Sequence, residues 1–82
     1  MFELEARHSH LFAGARGSIV SGCPQDGPVS VTFSDLSRAA GRLDGDCLGL
    51  GPYRTAAGRA IPERTWRVAF DAGGFRILGR LP

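Results

Sequence analysis

The residues from Thr65 to Leu81 alternate in character with a period of two, and this alternation constrains the fold more than any other stretch. Trp66, Val68 and Phe70 share one parity, while Arg67, Ala69 and Asp71 share the other. A strand sends successive side chains to opposite faces, so the large apolar groups line one face and the charges the other. After Gly73-Gly74 the pattern resumes, with Phe75, Ile77, Gly79 and Leu81 against Arg76, Leu78 and Arg80. Gly-Gly suits a two-residue type I′ turn, which needs positive φ at both central positions. That turn opposes Asp71 to Arg76, Phe70 to Ile77, Val68 to Gly79 and Trp66 to Leu81. A turn at Ala72-Gly73 opposes Phe70 to Phe75 instead and preserves the faces, whereas a three-residue loop flips one strand. Each large side chain contributes roughly 1.5–3 kcal/mol once buried. A lone hairpin cannot bury them, so a second layer is required.

The remaining chain supplies that layer. Phe2, Leu4 and Ala6 alternate with Glu3, Glu5 and Arg7, an amphipathic strand. The same parity continues through His8, His10 and Phe12. Either the strand runs on with both histidines inside, or it ends near Arg7 and His-Ser-His lies at its mouth. Arg16 to Ser21 reads as a second strand, Gly22 to Pro28 as a turn segment, and Val29, Val31 and Phe33 as a third strand. Ser34 or Asp35 then suits a helix cap. Leu36, Ala39, Ala40 and Leu43 follow at helical spacing, with Gly45 placed to end a short helix. Asp44 to Pro62 is ambiguous. Cys47 to Tyr53 reads as a short strand into a turn, and Arg54 to Ala60 as a loop or a frayed helical turn. The order β-β-β-α-(β)-β-β predicts one α+β domain over residues 1–82. It consists of a mainly antiparallel sheet or half-open barrel, one short helix and the terminal hairpin.

Composition limits what such a domain does. A chain of 82 residues with 43% hydrophobic and 22% charged residues is ordinary for one small globule. No apolar run reaches the length of a membrane span. Acids at Glu3 and Glu5 stand where a signal peptide needs a basic start, so a cytoplasmic location is expected. Cys23 and Cys47 are then expected as reduced thiols, although a bridge between them would contribute about 3 kcal/mol.

Each chemical motif has an ordinary counterpart. His8 and His10 on one strand face, with Cys23 and Cys47, supply the donor types of a tetrahedral zinc site. Their spacing matches no zinc-finger pattern, so no metal or other cofactor is expected. No serine sits in a Gly-x-Ser-x-Gly elbow, and the glycine-rich stretches lack the phosphate-loop order. A chain this short has little room for a closed pocket, so neither catalysis nor a small-molecule substrate is expected.

The basic residues carry more weight. All ten are arginine, for a net charge of +2. The absence of Lys and Asn together is what GC-rich coding produces, so the arginine count alone says little. Their distribution says more. Arg54, Arg59, Arg64, Arg67, Arg76 and Arg80 crowd the last third, with Arg67, Arg76 and Arg80 on the hairpin's outer face beside Leu78.

Two functions fit. One is a non-catalytic protein-interaction or regulatory module, acting through a sheet edge or face and prone to self-association as a homodimer. The other is a nucleic-acid binder that sets the same arginines against phosphates. Aromatic stacking partners are missing from that face, because Trp66, Phe70 and Phe75 point the other way.

Overall fold

Nine strands form among residues 2–82, the residues described by the structure, a computed structural model. They are β1 (Phe2–Ala6), β2 (Arg16–Ser21), β3 (Gly27–Thr32), β4 (Arg38–Asp44), β5 (Cys47–Leu50), β6 (Tyr53–Arg54), β7 (Ala60–Ile61), β8 (Arg64–Asp71) and β9 (Gly74–Arg80). Seven of them close into a barrel in the order β1-β2-β9-β8-β5-β4-β3, while β6 and β7 form a separate two-stranded excursion between β5 and β8. From β3 to β9 the barrel is an antiparallel meander. The β1–β2 hairpin fills the gap, and parallel pairing of Phe2–Glu5 with Val29–Thr32 closes the ring.

The expected α+β class is therefore wrong. The described residues contain no helix, and the sheet is a closed barrel rather than a half-open one. The error lies in Leu36, Ala39, Ala40 and Leu43. A separation of four is a neighbour on a helix face and also an even step on a strand, so Ala39 and Leu43 satisfy both patterns. In the structure Ser37, Ala39 and Leu43 are buried, whereas Arg38, Ala40, Arg42 and Asp44 are exposed. That is strand parity. Six register pairs with β3 and four with β5 fix it.

Asp35 caps a turn instead of a helix. Its Oδ1 accepts the Ser37 N–H at 2.9 Å, and Phe33 N–H donates to the Ser37 carbonyl at 2.8 Å. The tip of this turn is Leu36, at φ 72° and 80% exposed. Left-handed backbone costs a side-chain-bearing residue roughly 1–2 kcal/mol, less for Asn. Leu36→Asn is thus expected to raise stability by about 1 kcal/mol, read as a higher urea midpoint at unchanged slope.

The terminal hairpin uses the other of its two registers. Phe70 opposes Phe75 and Asp71 opposes Gly74 around Ala72-Gly73, so Asp71 does not face Arg76. Gly73 alone takes positive φ, 81°. Gly74 answers a different need, because a Cβ there would stand 3.1 Å from both the Gly17 carbonyl oxygen and the Asp71 carboxylate. The register then slips by one. Val68 faces Ile77 and Arg67 faces Gly79, which leaves Leu78 as the extra residue of a bulge.

The core fills the barrel. Phe2, Leu4, Leu11, Val29, Val31, Phe33, Leu43, Leu48, Leu50, Trp66, Val68, Phe75 and Ile77 are all buried within it. The ambiguous region resolves into β5, which lies inside the barrel wall, and the β6–β7 hairpin, which caps one end.

Candidate binding surface

With the interior occupied by side chains, chemistry can occur only on the outside or at the barrel ends. The outer face of β2, β9 and β8 is the more basic. Arg16 on β2 stands directly across from Arg76 on β9, which in turn stands across from Ala69 on β8. Like charges directly opposite each other on one face repel. An open depression of about 260 Å³ lies between them, bounded by Arg16, Ala69, Phe70, Asp71 and Arg76. Two residues beyond the bulge, Arg80 shares an open groove of about 430 Å³ with Arg64 and Glu63. Arg76, Leu78 and Arg80 are all exposed, and Leu78 retains 44% of its surface. The sole ion pair among the described residues joins Arg67 to Asp46 at 3.5 Å. Arg16, Arg76 and Arg80 have no such partner.

The arginines singled out in the sequence therefore divide. Arg76 and Leu78 lie on the hairpin's outer face, where Arg67 is held by Asp46. The bulge changes the parity, so Arg80 stands opposite buried Trp66 and lies with Arg64 at the barrel end instead of on the expected outer face. Arg54 and Arg59 belong to the β6–β7 hairpin, where Arg54 donates to the Gly58 carbonyl at 2.7 Å. Arg64 links the two groups, since it lines the groove with Arg80 and contacts the barrel-end residues below. Arg16 was missed. It sits on the outward parity of β2, but only the long-range pairing of β2 with β9 brings it beside Arg76.

The barrel end holds the most connected polar cluster. β1 stops at Ala6, so His8-Ser9-His10 lies at the mouth of the strand. His10 Nδ1 is 3.1 Å from Tyr53 Oη, and its Nε2 is 3.2 Å from Arg64 Nη1. A guanidinium only donates, so Nε2 accepts and the ring proton resides on Nδ1, donating to Tyr53. Burial, then the charges of Arg64 and Arg59, hold the imidazole below the ordinary 6.5. Burial likewise pushes the Tyr53 phenol up, partly offset by Arg64. The Trp66 indole meets the His10 ring edge-on at 6.5 Å. The cleft among these residues has a volume of about 10 Å³, room for a single water at most.

The four metal-ligand candidates are not brought together. His8 packs edge-on against Phe12, His10 is engaged as above, Cys23 is exposed beyond β2, and Cys47 lies on β5. No group of three or more His, Cys, Asp or Glu among the described residues could hold a metal ion. The Cys47 thiol is pushed up, first by burial and then by Asp46, whose carboxylate it approaches at 3.6 Å. A nucleophilic cysteine needs the opposite shift. No helix is long and apolar enough to cross a membrane.

No family model, curated protein or solved structure matches this chain.

Proposed function

We propose that the protein is a non-catalytic interaction module that meets a protein partner with the outer face of β9 and its neighbours. Leu78 carries this proposal. The bulge lifts it out of the ladder, leaving a large apolar side chain 44% exposed near Arg76 and Arg16, neither of which has an ion-pair partner among the described residues. An apolar knob set among arginines is the composition of an interface centre, and it suits an acidic surface with an apolar pocket. The hairpin edge is a weaker candidate than the face. β2 occupies that edge from Gly74 to Arg76, and Ile77 is bonded to Gly14 and Ala15. Strand addition there, including self-pairing into a homodimer, requires displacing the β1–β2 loop. Arg16 and Arg76 also oppose a second copy of this face.

Retention of a partner from cell extract is the direct test. Leu78→Asp and the triple change of Arg16, Arg76 and Arg80 to Gln are each expected to lose the proteins that the parent chain retains, by tenfold or more for a hot-spot residue worth about 2 kcal/mol. Equal retention by both variants would overturn the proposal.

The Arg16–Arg76 opposition and the groove joining Arg80 to Arg64 support a second reading, recognition of a nucleic-acid backbone. It predicts anisotropy changes with labelled oligonucleotides that weaken steeply between about 50 and about 200 mM salt. The triple Gln variant should then show a shallower salt slope. Flat traces at both salts would remove this reading.

A further inference from the structure

We propose that His10 is a proton-operated latch that clips the β6–β7 hairpin over the end of the barrel. The hairpin is weakly built. Its ladder has two register pairs, Tyr53 with Ile61 and Arg54 with Ala60, too few to stand alone. Ile61 is buried beneath it yet lies outside the main core cluster. The attachments to the barrel are few: Gly51 N–H to the Ala40 carbonyl, Ala56 N–H to Ser37 Oγ, the Tyr53 ring stacked on Phe33, and His10. His10 differs from the others in bridging the hairpin to β8, the barrel strand that follows it. Tyr53 lies on the leg that leaves the barrel, and Arg64 stands where the chain rejoins it.

The contact with Arg64 exists only with a neutral ring, whereas the Nδ1–H donates to Tyr53 in either state. Adding a proton to Nε2 removes the acceptor that Arg64 uses and sets a cation against a guanidinium 3.2 Å away. The groups facing the ring leave no compensation. Tyr53 on β6 is neutral, and Arg59 in the hairpin turn and Arg64 on β8 are positive. Trp66 offers a ring edge, and His8 on the same loop packs against Phe12. The charges acting on the ring are Arg64 and Arg59, with no carboxylate among them. Asp35 acts on Tyr53, and Glu63 lines the groove beyond Arg64. Acid therefore breaks the link to Arg64 and sets the ring's charge against Arg64 and against Arg59 of the hairpin turn, so that opening the hairpin, which rehydrates the ring, relieves the repulsion. It also frees Arg64 to turn into the groove that it shares with Arg80.

The linkage has a definite sign. The folded form holds His10 below its unfolded value of 6.5. Its contribution to stability is full above 6.5 and fades as pH falls from there toward the lowered folded value. The latch acts in the free protein, so it stands or falls apart from the binding surface proposed above.

The test is NMR on the whole chain. The His10 ring should carry its proton on Nδ1 at neutral pH. On acidification the protection factors of the Thr55, Ala56, Gly58 and Arg59 amides should fall together by about tenfold or more, while those of β1, β3 and β9 hold. His10→Gln keeps a donor and an acceptor without titrating, and its hairpin should stay protected across the range. A proton on Nε2 would overturn the latch without any variant being needed. So would hairpin protection that follows the barrel at every pH, or the same acid loosening in His10→Gln.

Discussion

Gly41→Ala is expected to cost about 3 kcal/mol or more, the upper part of the range for overpacking. Gly41 lies on β4 between Val29 of β3 and Leu50 of β5. A Cβ there would strike the Gly49 carbonyl group, with its carbon 2.8 Å away and the Leu50 Cα 2.9 Å away. Side chains can rotate out of such a collision, but these atoms are backbone. They belong to strands tied on both sides in a closed ring, so the strain spreads around the barrel instead of dissipating at a free edge. A domain of this length holds about 4–12 kcal/mol in total. A loss of this size lowers the melting temperature by roughly 12–24 °C. Gly79→Ala is the control, because no atom lies within 4 Å of a Cβ at that position. It should be neutral or slightly stabilising, by up to about 1 kcal/mol through the unfolded chain. Urea melts of the two variants decide the matter. Similar midpoints would mean that the β4–β5 approach relaxes easily.

Gly41 also shows where the sequence stopped being informative. Period two was legible wherever large apolar residues alternated with polar or charged ones, as in β1, β3 and the terminal hairpin. β4 offered only Ala39, Ala40 and Leu43 as apolar markers, and the Ala39–Leu43 pair, four apart, fits a helix as well as a strand. The residue that separates the two is Gly41, whose meaning depends on β5 lying against it. The same limit hid Gly17, where a Cβ would collide with the Phe75 ring and the Glu5 carbonyl. Neither glycine carries a local signature, and both are contact points between strands in three dimensions.

The binding surface was half legible for a related reason. Alternation alone placed Arg76, Leu78 and Arg80 on one outer face; all three are exposed, but the bulge sets Arg80 opposite Trp66 and off that face. Their neighbours come from barrel closure, which no local pattern encodes. Arg16 meets Arg76 across 60 positions of sequence, and His10 reaches Tyr53 and Arg64 across 43 and 54. His8 and His10 drew notice as metal ligands because two histidines share one strand parity. The chain leaves the strand before either, and their parity then means nothing.

Phe33→Ala is expected to have the largest effect of any single truncation. Phe33 is 1% exposed and heads the largest fully buried side chains. It directly follows β3, where its N–H anchors the Asp35 turn, and its ring stacks on Tyr53 at 5.3 Å with 17° between planes. Removing the ring costs about 3–5 kcal/mol through lost burial and the cavity left behind. The aromatic pair adds about 0.5–1.5 kcal/mol. The sum rivals the whole stability of a small domain, so the variant should be largely unfolded or melt without a sharp transition. Tyr53→Phe separates the two roles of that contact. It keeps the stack and deletes the hydrogen bond to His10, so it should cost only about 0.5–1.5 kcal/mol. It should also loosen the β6–β7 hairpin while the barrel melts almost as before. Tyr53→Leu deletes both, and a double-mutant cycle with Phe33→Leu isolates the ring–ring energy. A cycle that closes to zero would mean that Phe33 serves the barrel alone and the hairpin is held from elsewhere. A coupling near 1 kcal/mol would make Phe33 the joint between core and cap.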